Sequence, residues 1–227
     1  MARWRLRRRL GARLRARGTP TKKIQASQRA MPEHLKSARG AFRVLGVDPA
    51  LAGATGYGVI ECAGAEWTLL RFGALKLPAR ATFASRLREV HCMIAGLVEE
   101  FSPNAMAVES VFTSLNMGTA LRLAEVRGVV LLAAAQASIP AFSYSPREVK
   151  ASVAGYGAAS KQQMQQMVSS LLKLSSIPEP PDAADALAVA LCHAYLAQAR
   201  ERMAAATGVT SLTGGRRNAG RAIRVSN

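Results

Sequence analysis

The stretch RVLGVDPALAGATGYGVIE, residues 43–61, decides the fold class. Residues 42–47 form a short apolar run rich in β-branched side chains, which reads as a buried strand. It stops at Asp48-Pro49, and the small, Gly-rich segment from Leu51 to Gly56 reads as a turn. Tyr57–Glu61 returns as a second strand and Trp67–Leu77 as a third, with turn residues around Gly64 between them. That pattern describes antiparallel hairpins. Asp48 therefore stands at the edge of an apolar element, where the backbone turns a corner.

Downstream the period changes. Phe83, Leu87, Val90, Ile94, Leu97 and Val98 recur at helical spacing, so residues 83–101 form a helix. Ser102-Pro103-Asn104 breaks it, and Ala105–Val108 is a short buried strand that ends at Glu109. Met117–Ala137 is a long Ala/Leu/Val-rich helix with Gly128 inside it. A helix this apolar lies centrally or at an interface, and it is the candidate dimer contact. A strand over 139–144 and helices over 146–153 and 161–172 follow. Glu179-Pro180-Pro181 then halts the chain before a final helix over 182–199. The expected class is α/β: a mixed five-stranded sheet with helices on both faces.

Two more acids, Asp182 and Asp185, open the last helix in PPDAADALAVAL at i, i+3 spacing. Each of the four acids has an ordinary explanation alone. Asp-Pro after a strand is a common turn, and a strand end often carries a solvated acid. Asp182 fits a helix N-cap, and Asp185 is a first-turn acid favoured by the helix dipole. Together they form a pattern, because only 12 acidic residues fall among the 160 from Ala41 to Arg200. Carboxylates gathered at one sheet edge repel one another unless a cation lies between them. Hard oxygen donors suit Mg²⁺ or Mn²⁺, and paired divalent ions hydrolyse phosphodiesters. The four acids thus predict a metal-dependent nuclease.

The net charge of +17 is unevenly spread. Residues 1–40 carry 13 Lys/Arg and one acid, and residues 201–227 carry five Arg and one acid. The central 160 residues hold 13 basic and 12 acidic side chains. The expected organisation is a nearly neutral domain over 41–200 between two basic, disordered tails, 1–40 and 201–227. Basic tails bind polyanions through counterion release, without sequence choice. The Arg-rich, acid-poor head also matches an organellar transit peptide, or a start assigned upstream of Met31. Cys62, Cys92 and Cys192 are odd in number and lack any C-x-x-C, which suits a reducing cytoplasm. The His91–Cys92 and Cys192–His193 pairs are read as core residues. His193 falls too far along the last helix from Asp185 for a general base.

The order GVDPA…TGYGVI, then AVESVF, then ALRLAEVRGVVLLAA, then DAADALAVAL resembles the RuvC-type Holliday junction resolvases. The resemblance spans residues 43–195 and excludes both tails. It implies an RNase H-like fold, a homodimer and Mg²⁺-dependent nicking of four-way DNA junctions, with Mn²⁺ able to substitute. It places two ions on Asp48, Glu109, Asp182 and Asp185, with Asp48 bridging them. It also implies that Phe112 stacks on unpaired bases at the crossover, and that Lys150 and Lys161 stand near the scissile phosphate. Arg147 and Arg127 are further candidates for phosphate contacts. A branch-migration complex of the RuvA/RuvB kind is the implied partner. Family members commonly carry Gly after Asp-Pro, where this chain has Ala50; that change removes no ligand.

Three competitors are weaker. An actin/Hsp70-like ATPase needs a second large domain and a second phosphate loop, for which the chain is too short. A general RNase H-like nuclease acting on RNA or hybrids satisfies the carboxylates but not the family blocks. A module that only binds junctions gains nothing from four like charges facing its ligand. Gly155-Tyr156-Gly157, ahead of Lys161, supplies either a plain turn or a loop free to follow a nucleic-acid backbone.

Overall fold

The computed structural model describes residues 41–51, 53–63, 66–76, 78, 80–110 and 116–206. β1 (Phe42–Asp48), β2 (Thr55–Ala63) and β3 (Glu66–Leu75) form the expected antiparallel meander. α1 (Phe83–Phe101) leads to β4 (Ala105–Glu109), and α2 (Met117–Gln136) leads to β5 (Ala141–Tyr144). α3 (Pro146–Ala154), α4 (Lys161–Leu171) and α5 (Pro181–Ala206) complete the chain order. The sheet runs β3-β2-β1-β4-β5, with β4 parallel to both β1 and β5. Strand β3 stops at Leu75, two residues short of the expected Leu77, which lies outside the described residues.

Alternation along the strands sorts the core into two layers. Leu45, Val47, Met106 and Val108 face α1 and α2, where they meet Val90, Ile94, Val126 and Val130. Val44, Ile60 and Ala107 face the other way, onto α3, α4 and α5. Because Asp48 shares the parity of Val44 and Gly46, and Glu109 that of Ala107, both acids fall on the α5 side. The parallel pairing of Val47 with Val108 brings the two strand ends side by side.

α5 is seated on this face over glycines. Gly46 pairs with Gly58 across β1 and β2, and Gly56 pairs with Asp48. A Cβ at Gly46 would collide with the Ala186 carbonyl and come within 2.8 Å of Ala190 Cβ. At Gly56 it would strike the Asp182 carbonyl. The helix answers with Ala183, Ala186 and Ala190, all fully buried. Small residues on both sides let the helix backbone approach the sheet, which fixes the height of its first turn above Asp48.

The structure also corrects the reading of α1 and of the last helix's end. Cys92 is exposed and His91 half-buried, bonded to Gln136 Oε1 at 2.7 Å, so this pair is not core. The buried stripe of α1 runs through Val90, Ile94, Leu97 and Phe101, and a residue two positions from Val90 points away from it. The last helix does not end at Ala199. It continues to Ala206, so residues 201–206 belong to the domain's final helix and not to a tail.

Gly46→Ala should lower the unfolding free energy by about 1–3 kcal/mol, the usual cost of overpacking. Gly96→Ala, on the exposed side of α1 with nothing within 4 Å, should be neutral or stabilising. Thermal unfolding of the two variants beside the parent chain measures the contrast.

Candidate active site

Asp48 and Glu109 end neighbouring parallel strands, and Asp185 overlooks them from the second turn of α5. A cleft of about 240 Å³ is lined by these three with Lys150, Lys161, Val149 and Met164. Asp182, in the first turn of α5, sits at the margin: its Oδ1 lies 3.6 Å from where a Gly53 Cβ would stand. It still acts on Asp48 through its charge. Pro181 starts the helix, so Asp182 is a first-turn residue and not its N-cap.

Both lysines owe their places to capped helices. Ser145 and Glu148 form a reciprocal capping box at the start of α3, which carries Lys150. Ser160 and Gln163 form another at the start of α4, fixing Lys161 at its first helical position. From there Lys161 Nζ reaches Asp185 Oδ2 at 2.8 Å. The walls Val149 and Met164 were legible only as helix core positions. Nothing in the sequence marked them as neighbours of the acids.

Electrostatics set these residues apart. Burial pushes the Asp48 carboxyl up to about 8, reinforced by the charges of Glu109, Asp185 and Asp182 and opposed by Lys161. Glu109 is raised to about 7, first by burial and then by Asp185, against Lys150 and Lys161. Lys161 is held above its ordinary value, chiefly by its hydrogen bond to Asp185. Two carboxyls that hold protons near neutrality form a site short of positive charge.

Among the described residues, no three acidic, His or Cys side chains close on a common point as they stand. The chemistry of the donor set nevertheless fits a hard divalent cation. The donors are carboxylates in one another's field, and the ammonium of Lys161 occupies part of the place a cation would take. No thiolate is at hand for a soft metal: Cys62 and Cys192 are buried in the α5-side core, and Cys92 is on the surface of α1.

The other expected residues separate. Arg147 packs under Gly157 and does not line the cleft. Arg127 is on α2, on the opposite face of the sheet, with Nη2 2.5 Å from Ser143 Oγ. Phe112 lies outside the described residues. His193 is a core residue, as expected: its Nδ1 is 2.7 Å from Tyr144 Oη, and Phe142 lies against its ring. Burial, with help from Arg200, lowers it to about 4, so it stays neutral.

A mixed five-stranded sheet with helices on both faces, and acids at the ends of its two central parallel strands, defines the RNase H-like class of nucleases. Residues 44–193 match the family profile of crossover junction endodeoxyribonuclease RuvC. The RuvC of Natranaerobius thermophilus is 43% identical over 160 residues, covering 70% of this chain and 99% of that relative. The Chloroflexus aggregans RuvC is 46% identical over 161 residues, covering 71% and 98%. The structure of Thermus thermophilus RuvC in complex with Holliday junction substrate superimposes with a TM-score of 0.66 at 34% identity, over 70% of this chain and 96% of that one. The chain belongs to the RuvC family of crossover junction endodeoxyribonucleases.

The raised carboxyls have a measurable consequence. Between the unfolded value of 3.8 and the folded value of about 8, the native state keeps a proton on Asp48 that the unfolded chain has released. Stability in chelator should therefore fall as pH rises through that window. Thermal unfolding from pH 5 to 8.5 should show the decline, flattened in Asp48→Asn. Mg²⁺ at pH 8 should raise the parent's Tm and leave that of Asp48→Asn nearly unchanged.

Proposed function

We propose that this chain resolves four-way DNA junctions by paired, symmetric, metal-dependent nicks in recombination and repair. The observation that carries this is the single cleft holding Asp48, Glu109 and Asp185 beside Lys150 and Lys161, in a chain of the RuvC family. Asp48, Glu109, Asp182 and Asp185 are the residues that would hold two Mg²⁺ ions, or Mn²⁺ in their place. Such ions, when bound, supply the activation of water and the neutralisation of the leaving 3′ oxygen.

The chain's own residues do the positioning. Asp48 and Glu109 present their oxygens from strand ends fixed by the sheet, and Asp182 and Asp185 face them across one turn of α5. Lys161 is close enough to the acids to pair with a phosphate oxygen in exchange for Asp185. Lys150 approaches from α3 on the same wall. Phe112 stacks on bases at the crossover, while Arg147 and Arg127 contact phosphates outside the cleft. A cytoplasmic setting and a RuvA/RuvB-type partner that moves the crossover complete the reading.

Two cuts need two sites, and α2 offers the contact. Its exposed side carries Met117, Leu121, Ala124, Gly128, Leu132 and Ala135, spaced by three or four residues. Met117, Leu121 and Leu132 are 75%, 59% and 51% exposed. A Cβ at Gly128 would meet nothing within 4 Å, so a second helix can come close there. An apolar stripe on the outside of a helix already packed on its inner side suits a two-fold contact with a second copy.

Cleavage of a synthetic mobile four-way junction, beside linear duplex and RNA-containing duplex, tests the activity. Mg²⁺-dependent nicks should appear in the junction alone. Asp48→Asn should slow them by roughly 10²–10³-fold or more while junction binding survives. Equal cutting of linear or hybrid duplex would instead assign a general RNase H-like nuclease.

The dimer has its own test. Leu121→Glu combined with Leu132→Glu should convert a particle of twice the chain mass into a monomer in light scattering. Coordinated nicking of opposite strands should be lost with it. A variant that stays dimeric would remove α2 from the interface.

A further inference from the structure

Tyr156 stands in the loop between α3 and α4, and neither the metal site nor the dimer uses it. Among the described residues it is the one aromatic ring among the strongly exposed large apolar side chains, 47% exposed. Its hydroxyl donates to Gln163 Oε1 at 2.6 Å. The same oxygen accepts from Ser160 N at 2.9 Å, and Gln163 N is bonded to Ser160 Oγ at 3.2 Å. The capping box of α4 is thus complete without the tyrosine. The extra bond does something else: it holds the ring at a fixed place on the surface.

The loop joins the two helices that carry the cleft lysines, Lys150 on α3 and Lys161 on α4. Gln163 and Lys161 share the first turn of α4, and Lys161 reaches the acids of the cleft. On the other side, Gly157 is packed against Arg147, whose Cγ and Nε would lie 2.7 and 3.3 Å from a Cβ there. Gly155, with φ of 83°, makes the sharp exit from α3. The ring is therefore tied to the N-terminal cap of α4, in a loop flanked along the chain by Arg147 and Lys161. A tyrosine needed only to fill a turn would bury its ring. This one stays half-exposed and spends its polar end on the scaffold.

We infer that Tyr156 stacks on a nucleobase or sugar of the strand being cut, next to the scissile phosphate, and so fixes which phosphate enters the cleft. The inference rests on the junction-nuclease reading. Aromatic stacking tolerates any base, while the flanking cations Arg147 and Lys161 pair with the phosphates on either side. Tyr156 is a positioning residue; it takes no part in the chemistry at phosphorus.

The test compares Tyr156→Trp, which keeps a flat ring, with Tyr156→Leu, which keeps apolar bulk without one. Junction binding is measured in chelator, with 2-aminopurine placed beside the cut position, and cut positions are mapped in Mg²⁺ on a mobile junction. Trp should hold affinity, fluorescence quenching and cut distribution close to the parent. Leu should lose roughly 5- to 150-fold in affinity, lose the quenching and spread its cuts over neighbouring phosphates, with Tm unchanged. Leu and Trp behaving alike, whether both normal or both impaired, would overturn the proposal. If Leu fails to fold, Tyr156→Ala takes its place: quenching and affinity equal to the parent's without any ring count against stacking. Failure of the parent chain to bind or cut junctions would sink the resolvase reading. Normal junction cutting by the parent, with indifferent Leu and Trp variants, would remove only Tyr156.

Discussion

The seating of α5 on the glycine-lined face of β1 and β2 is the contact on which the rest of the site depends. Two of the four acids arrive on strands and two on a helix, from positions more than 70 residues apart in the chain. The sheet register alone sets Asp48 beside Glu109. Bringing Asp182 and Asp185 to them requires a helix backbone nearly touching a strand backbone, which only residues without bulky side chains permit. Gly46, Gly56 and Gly58 below, with Ala183, Ala186 and Ala190 above, satisfy that requirement. The motif DAADALAVAL therefore carries two instructions in one stretch: acids for the cluster, and alanines for the distance at which the acids sit.

That distance sets up an electrostatic conflict, and the chain resolves it only in part. Lys161 neutralises one charge through Asp185, and Lys150 softens the field at Glu109. Asp48 is left with the largest rise among the acids, because it is the most enclosed and faces three other carboxylates. A fold that sought only stability would replace one of these acids by a neutral residue. If the four acids hold divalent cations as proposed above, the energy released on binding would include the relief of this repulsion.

Most of this is legible in the sequence for physical reasons. Apolar runs that end at an acid mark strands leaving a sheet, and Asp48 and Glu109 are recognisable because β-branched residues precede them. The boundaries of α1 and α4 follow from Thr82 and Ser160, whose side chains accept from the third residue onward. Other features depend on tertiary contacts that leave no local trace. The ion pair between Lys161 and Asp185 joins residues 24 positions apart, and the choice of Val149 and Met164 as cleft walls comes from how α3 and α4 pack. Sequence pattern misplaces Cys92 because apolar neighbours in an amphipathic helix do not reveal which side a small residue takes. It ends α5 too early because Gln198, Arg200 and Glu201 read as solvent, yet a helix can continue with a solvated surface.

The apolar character of α2 shows the same limit from the other direction. Apolar residues on all sides weaken the contrast between faces, so the sequence places the helix centrally or at an interface but does not show which side packs. The structure assigns one side to α1 and the sheet through Val126, Val130, Ala133 and Ala134. What remains is the stripe centred on Gly128, which covers no part of this chain's described core. An isolated monomer would bear the cost of keeping that stripe in water, with no return in its own stability. In the dimer proposed above, a second copy related by two-fold symmetry would remove the cost and, by the same operation, supply the second cleft that a four-armed substrate requires. In that assembly the apolar stripe and the pairing of the two cuts would have a common origin.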